Sequence, residues 1–309
     1  MKPSNPHLPG QIADVDLRLL RVFKSVVECG GMAAAELELN VGMPTISRQI
    51  KDLEERLGLV LCRRGRAGFA LTAEGGELYA AALQLLSATT DFRSRVEEIH
   101  DRIGGELHLA VFEKTVSNPA SRISQALERF HRAAPAVSLN IHVSGIEAIE
   151  QGVLSGQFQL GIVPEHRQSA SLAYQRLFSE PMQLYAAPGH PWFASTERWS
   201  WADLRRQPLA ALGYQSPNMR LAHRKQLVRQ ATASDQEGVA MLILTGCFVG
   251  FLPGHYAQPF VDEGRLSAVS PGLLGYQCEF VRLHRNDPSP SRAARMLIEM
   301  LDEAHAQEN

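Results

Sequence analysis

The stretch Met43–Gly75, MPTISRQIKDLEERLGLVLCRRGRAGFALTAEG, decides how the rest of the chain is read. Pro44 favours a first helical turn and Gly58 stands where helices commonly stop, so a helix is expected over about 44–57. Ile46, Ile50, Leu53 and Leu57 step by four, three and four, which places them on one face. At about 100° per residue, Pro44, Ser47, Arg48 and Lys51 point the other way. The first turns thus show a hydroxyl and two cations, while Asp52, Glu54 and Glu55 follow. LGLVLCRRGRAGFALT then reads as strand (59–62), turn (63–68) and strand (69–72), a hairpin with a basic tip.

Over residues 44–72 six cations (Arg48, Lys51, Arg56, Arg63, Arg64, Arg66) face three acids (Asp52, Glu54, Glu55), a local balance of +3 in a chain of formal net charge -2. A solvated basic face is the ordinary reading of such a run. The succession of turn, helix and basic hairpin favours a polyanion met locally.

Upstream, Leu19, Leu20, Phe23, Val26 and Val27 recur at helical spacing over 16–28, with Asp14 or Asp16 as candidate cap. CGG at 29–31 ends that helix, and a short helix follows over 32–39. NVG at 40–42 reads as a tight turn. Two helices joined by a three-residue, glycine-containing turn form a helix-turn-helix, and the hairpin makes it winged. Residues 1–13, rich in Pro, Asn and Gly, are expected to form a flexible tail.

Downstream, a helix is expected over about 72–103. Leu78, Ala82, Leu85, Thr89, Phe92, Val96, Ile99 and Ile103 alternate steps of four and three, an a/d seam. Its length would be roughly 48 Å. Leu78, Leu85, Phe92, Val96 and Ile99 are therefore candidate dimerisation residues; packing within their own domain is the alternative. Gly104 and Gly105 break the helix.

From 106 the pattern turns to strands (106–112, 137–144, 158–164, 182–188, 208–212, 247–253) and helices (118–135, 145–156, a short one capped by Ser200, 223–231, 234–246, 291–304). Alternation of this kind implies an α/β fold with a parallel sheet and a ligand cleft at the strands' C-terminal ends. Thr115, Ser117 and Asn118 lead into a helix, Ser144 and Gly145 end a strand, and Pro164 ends another. They are candidate ligand-binding residues, with Gly246 and Phe248 closing the cleft; for each Ser or Asn, a helix cap is the competing role.

At 309 residues the chain suggests two domains. It has no apolar run long enough to span a membrane and no apolar h-region, so a cytoplasmic protein is expected. Cys29, Cys62, Cys247 and Cys278 form no C-x-x-C, and the eleven histidines form no metal motif; His108 and His142 sit inside expected strands as packed residues. Neither a phosphate-loop nor a nucleophile-elbow motif occurs, so catalytic residues, metals and cofactors are not implied.

By these residues the chain resembles the LysR-type transcriptional regulators. DLRLLRVF (16–23), GGMAAAELELNVGMPTISRQIKDLEERLGLVLCRR (30–64) and FALTAEG (69–75) are similar to that family's winged helix-turn-helix in order and spacing. PMQLYAAPGHPWFA (181–194) and GVAMLILTGCFVGFLPGHYAQPFVDEGRL (238–266) resemble, less specifically, parts of its effector domain. The resemblance implies a winged helix-turn-helix over 14–72, a linker helix over 73–104 and an effector-binding domain over 105–309. The last would be similar to periplasmic solute-binding proteins, with one lobe at 106–180 and 279–309 and the other at 181–278. It implies a non-enzymatic regulator that binds double-stranded DNA and a small-molecule effector, here expected to be a small organic acid. It further implies a homo-oligomer, usually a tetramer, with RNA polymerase as a further partner and no membrane. The alternative is a cytoplasmic small-molecule-binding protein or enzyme built on the C-terminal lobes.

On DNA, Thr45, Ser47 and Arg48 are expected at the major groove, Lys51 on a phosphate, and Arg63, Arg64 and Arg66 on the flanking backbone or minor groove. Some of these arginines have Glu54 or Glu55 as alternative partners. The chain departs from the family at Gly42 and Met43, where Ser and a polar residue are common, at Ala33, where a Ser or Thr cap is common, and at Gln157 and Gln159, where an acid is usual.

Overall fold

The computed structural model describes residues 12–65, 68–100, 103–213 and 216–306, without the side chains of Arg64, Ser94, Glu97 and Glu98. Most of the tail expected over 1–13, and Arg66 of the hairpin tip, lie outside the described residues. The chain divides near Arg93 into two compact units.

The N-terminal unit contains α1 (Asp14–Glu28), α2 (Ala35–Leu39), α3 (Met43–Leu57), the hairpin β1 (Cys62–Gly65) and β2 (Gly68–Leu71), and the start of α4 (Ala73–Ile99). Its core joins Leu19, Phe23 and Val26 of α1 to Ile46, Ile50 and Leu53 of α3, all essentially buried. The expected cap of α1 is corrected: Ala13 is the N-cap, and Asp16 accepts the Ala13 N–H at 2.8 Å from inside the first turn. Asp16 also receives Arg56 Nε at 2.6 Å and Nη2 at 3.1 Å. The Arg56 hydrogen bond, then the Ala13 N–H, hold the Asp16 carboxyl below the usual range. Arg56 is thus occupied in tying α3 to α1.

Asn40 takes the left-handed conformation the turn needs (φ 52°). Gly42 caps α3 without a side chain, and the Glu36 carboxylate of α2 accepts the Met43 N–H in place of a side-chain cap. The hairpin starts later than its sequence suggests, so Arg63 and Arg64 lie within β1, paired with Ala70 and Phe69. The reason is local: Glu54 Oε1 accepts the N–H groups of Leu61 (2.7 Å) and Cys62 (3.3 Å), and Leu61 is buried. That fixes 59–61 as a connection. Thr72 Oγ1 donates to Val60 O at 2.6 Å and accepts the Gly75 N–H at 2.9 Å, starting α4.

With 27 residues, α4 is roughly 40 Å long and shorter than expected. Its seam divides. Leu78, Ala82 and Leu85 pack into the N-terminal core, whereas Phe92 (68% exposed), Val96 (37%) and Ile99 (81%) are uncovered.

The C-terminal unit is a nine-stranded mixed sheet in the order β4-β3-β5-β11-β6-β9-β7-β8, with β10 paired to β6. A first lobe gathers β3 (Gly105–Val111), β4 (Val137–Val143) and β5 (Leu160–Pro164) with α5 (Ile123–Ala133), α6 (Ile146–Ser155) and α11 (Arg292–His305). A second gathers β7 (Leu209–Leu212), β8 (Arg229–Ala233) and β9 (Val249–Pro253) with α7 (Trp201–Leu204), α8 (Pro217–Arg224), α9 (Gln236–Leu244) and α10 (Gly254–Asp262). Pairing among β3, β4 and β5, and among β7, β8 and β9, is parallel. The lobes are joined by β6 (Leu172–Ala186) and β11 (Gly275–Arg285), antiparallel along their length; β10 is Ser267–Ala268. Phe178 and Phe280, opposite each other, stack at 4.8 Å.

Three expectations are corrected. The strand expected at 182–188 begins at Leu172, β11 was not expected, and the helix expected at 223–231 is the end of α8 followed by β8. Ser216 caps α8 through the Met219 N–H, which starts that helix at Pro217 and frees 229–233 to pair with β7. His108 and His142 are stacked against each other with Nδ1 and Nε2 at 3.0 Å. Among the described residues no three metal-binding side chains cluster.

A Cβ at Gly75 would overlap the backbone oxygen of Leu61. Gly75→Ala is expected to destabilise the N-terminal unit by about 1–3 kcal/mol, seen as a lower midpoint in a circular dichroism melt. Arg56→Met is expected to lower stability at neutral pH. Because the folded-state pKa of Asp16 is depressed, the contribution is present above the ordinary carboxylate range and fades as pH falls through the folded value. Wild-type and variant melting points should therefore converge on acidification.

Candidate functional site

Two sites emerge, one in each unit. In the N-terminal unit, burial of Ile46, Ile50 and Leu53 turns the opposite side of α3 to solvent. Thr45, Arg48 and Lys51 are exposed and Ser47 is half-buried. Arg48 makes no ion pair among the described residues, while Lys51 lies 3.5 Å from Glu55 in an exposed pair of little energetic weight. Met43, 47% exposed, joins them at the first turn. Arg63 is exposed on β1. Of the alternative partners, Glu54 is taken by the backbone of Leu61 and Cys62.

In the C-terminal unit the two lobes meet at a narrow crevice that opens to solvent and encloses about 20 Å³, room for about one water. Its walls stand at the C-terminal ends of parallel strands: Phe112 after β3, Pro164 on β5, Leu212 on β7 and Gln236 after β8. This is the position at which open α/β sheets take ligands. Its floor comes from β6 and β11. Glu180 and Met182 share one face of β6, Tyr276 and Cys278 one face of β11, and Glu180 pairs with Cys278.

Glu180 is 4% exposed and accepts His255 Nε2 at 2.7 Å and Asn118 Nδ2 at 3.3 Å, both on Oε1. Burial, and then the Glu180 carboxylate, push the Cys278 thiol well above its usual range, so it is held as the unreactive thiol. Three further polar side chains line the cavity almost fully buried, Ser216, Asn218 and Gln236, at 1%, 2% and 4% exposure. Among the described residues Asn218 Nδ2 and Gln236 Oε1 have no hydrogen-bond partner. An unsatisfied buried polar atom costs about 1–3 kcal/mol, and both residues line this crevice, which makes it the candidate ligand site.

Direct bonds draw the lobes together around it. Glu113 Oε1 accepts the Gln236 N–H at 2.8 Å, and Arg220 Nη1 donates to His166 O at 2.8 Å. Lys114 approaches Glu237 at 3.4 Å and lies over the Tyr256 ring. Burial raises the Glu113 carboxyl's pKa.

Of the ligand residues expected from sequence, Pro164 lines the cavity, and Asn118 reaches its floor through Glu180. Thr115 is buried with its hydroxyl on Phe112 O, and Ser117 bonds Lys114 O and His255 Nδ1 at 3.0 Å. Ser144 N–H closes on Val111 O, and Gly145 is exposed beside open space. Gly246 and Phe248 are not among the residues lining this crevice: Gly246 packs against the Pro188 carbonyl at positive φ, and Phe248 is partly buried against the second lobe's core. The sequence reading missed Glu180, Ser216, Asn218, Gln236, Tyr276 and Cys278. Ser216-Pro217 was a readable helix start, but nothing local marked the rest.

Residues 17–76 match the family described as bacterial regulatory helix-turn-helix protein, lysR family, and residues 100–306 match the LysR substrate binding domain. The HTH-type transcriptional activator BauR of Pseudomonas aeruginosa is 39% identical, over 96% of this chain and 98% of its own. The SDS degradation transcriptional activation protein of a Pseudomonas species is 29% identical over 91% and 94%. Among solved structures, full-length CbnR in complex with its target DNA shares the fold with a TM-score of 0.61 at 20% identity, over 93% of this chain and 99% of that one. In the described residues no helix is long and apolar enough to cross a membrane. With both domains matched in order along the chain, this protein belongs to the LysR family of transcriptional regulators.

Proposed function

We propose that the chain is a cytoplasmic, sequence-specific regulator of transcription that binds double-stranded DNA as a homo-oligomer, a tetramer, and responds to a small organic acid held in the cavity between its lobes. The observation that carries the reading is α3: its apolar side is buried, and the exposed side of its first turns offers Thr45, Arg48 and Lys51. In the complex of its structural relative CbnR the partner is target DNA. Arg48 would read a guanine edge, Lys51 would hold a phosphate, and Arg63, with Arg64 and Arg66, would hold the flanking backbone or minor groove. Phe92, Val96 and Ile99 form an apolar stripe that a second copy would cover. RNA polymerase is the further partner such a regulator needs.

The chain Ser117–His255–Glu180 has the connectivity of a hydrolase triad. Ser117 Oγ, however, already donates to Lys114 O, and its place on the three-residue 3₁₀ turn Thr115–Ser117 serves to tie the lobes. A regulator therefore fits better than an enzyme.

Arg48→Ala is expected to weaken binding to the cognate site by about 1–3 kcal/mol while changing binding to random DNA far less, read by fluorescence anisotropy. Lys51→Ala should weaken both alike and reduce the salt slope by about one. Equal loss on both DNAs for Arg48→Ala would remove it from base reading. The double change Phe92→Glu, Ile99→Glu is expected to lower the molar mass in sedimentation equilibrium; an unchanged mass would place the oligomer interface elsewhere.

A further inference from the structure

Between Asp203 and Asp235 the chain carries no acidic residue, and Arg205, Arg206, Arg220, Arg224, Lys225 and Arg229 all fall there. Of these, Arg220, Arg224 and Arg229, with His223, line one open groove of about 670 Å³ on the second lobe. The groove shares no lining residue with the crevice between the lobes. Arg220 and Arg224 stand about one turn apart on α8, and Arg229 opens β8. Ala222 and Leu227, both buried, add an apolar floor. A basic face is most often only solvated. Two features set this one apart. First, the cations are held in place: Arg220 Nη1 donates to His166 O and Arg229 Nη1 to Leu212 O, both at 2.8 Å. A carbonyl orients a guanidinium without cancelling its charge, and leaves its other N–H donors for a further acceptor. Second, no carboxylate neutralises them: among the described residues none of the three arginines forms an ion pair, and none of the lining residues is acidic.

Like charges one helical turn apart repel, and an anion between them relieves that repulsion. The last turn of a helix favours cations, which accounts for Arg224 alone. The partial negative charge of that helix end, about half a unit, is small against three guanidinium groups. We infer that the groove is a second small-molecule site, for a phosphate monoester: its phosphate is held by Arg220, Arg224 and Arg229, and its organic part lies over Ala222 and Leu227. A phosphate group carries up to about two negative charges and three acceptor oxygens, which guanidinium forks meet in pairs. The volume lies within the roughly 300–1,000 Å³ of small-molecule sites and exceeds what a bare anion fills, so a compact organic phosphate suits the groove.

The test is isothermal titration calorimetry of the full-length protein with inorganic phosphate, glycerol 3-phosphate, ribose 5-phosphate and glucose 6-phosphate, beside glycerol, ribose, glucose and succinate. At least one ester is expected to bind ten or more times more tightly than its unphosphorylated parent, inorganic phosphate and succinate. The Arg224 side chain makes no hydrogen bond with the described residues, so Arg224→Gln should leave the fold intact while weakening that ester at least tenfold. Arg224→Glu should abolish its binding. Arg48→Gln separates the groove from the basic side of α3: if it removes ester binding and Arg224→Gln does not, the groove is overturned as the site. Inorganic phosphate or succinate binding as tightly as every ester overturns the monoester. So does the absence of binding by all three esters. A random-sequence DNA duplex whose affinity falls tenfold in Arg224→Gln, with no ester bound, would make the groove a DNA contact instead.

Discussion

Burial of one side of α3 is the constraint on which the N-terminal unit depends. Ile46, Ile50 and Leu53 are shut into a core with Leu19, Phe23 and Val26, so rotation of the helix about its axis would expose them. That packing fixes which residues face outward. The remaining contacts hold it in register: Arg56 on Asp16 ties α3 to α1, Glu36 caps its start, and Glu54 anchors the hairpin connection to its end. Asp16, Glu36 and Glu54 thus have structural tasks, while Arg48 and Arg63 are left exposed. Electrostatic recognition is obtained here without a basic protein, since the whole chain has a formal net charge of -2.

In the C-terminal unit the equivalent constraint is the antiparallel pair of β6 and β11. Each strand serves both lobes, and the pair Glu180 and Cys278 lies where they pass from one to the other. A carboxylate at that point is buried by the architecture, so it must be partnered. His255 and Asn118, from opposite lobes, partner one oxygen. The candidate ligand site and the ties between the lobes therefore share a residue, Glu180.

The legible parts of the sequence were those set by local rules. The four-three-four spacing of Ile46, Ile50, Leu53 and Leu57, the left-handed Asn40 and Gly58, and the α/β alternation after 106 all appear in the structure. What failed was decided at a distance. HRKQLVRQA is rich in helix formers, yet pairing with β7 makes its second half a strand. Leu78 and Leu85 fit a coiled-coil seam and also pack, partly buried, against their own core, since spacing alone does not say which surface covers a helix face. Glu180, Asn218 and Gln236 are separated by up to 56 residues in sequence, and only the fold brings them to one cavity. The hydroxyls expected there, of Thr115 and Ser117, instead close turns, the ordinary use of such residues after a strand.

The central claim is that the exposed side of α3 meets a specific DNA sequence. Hydroxyl-radical footprinting of the wild-type protein on the genomic DNA adjoining its own gene tests it most directly. Discrete protected segments about one helical turn apart, persisting against excess random-sequence competitor, are the expected result. Protection spread evenly along the fragment and lost to competitor, or none at low salt with folded protein, would contradict it.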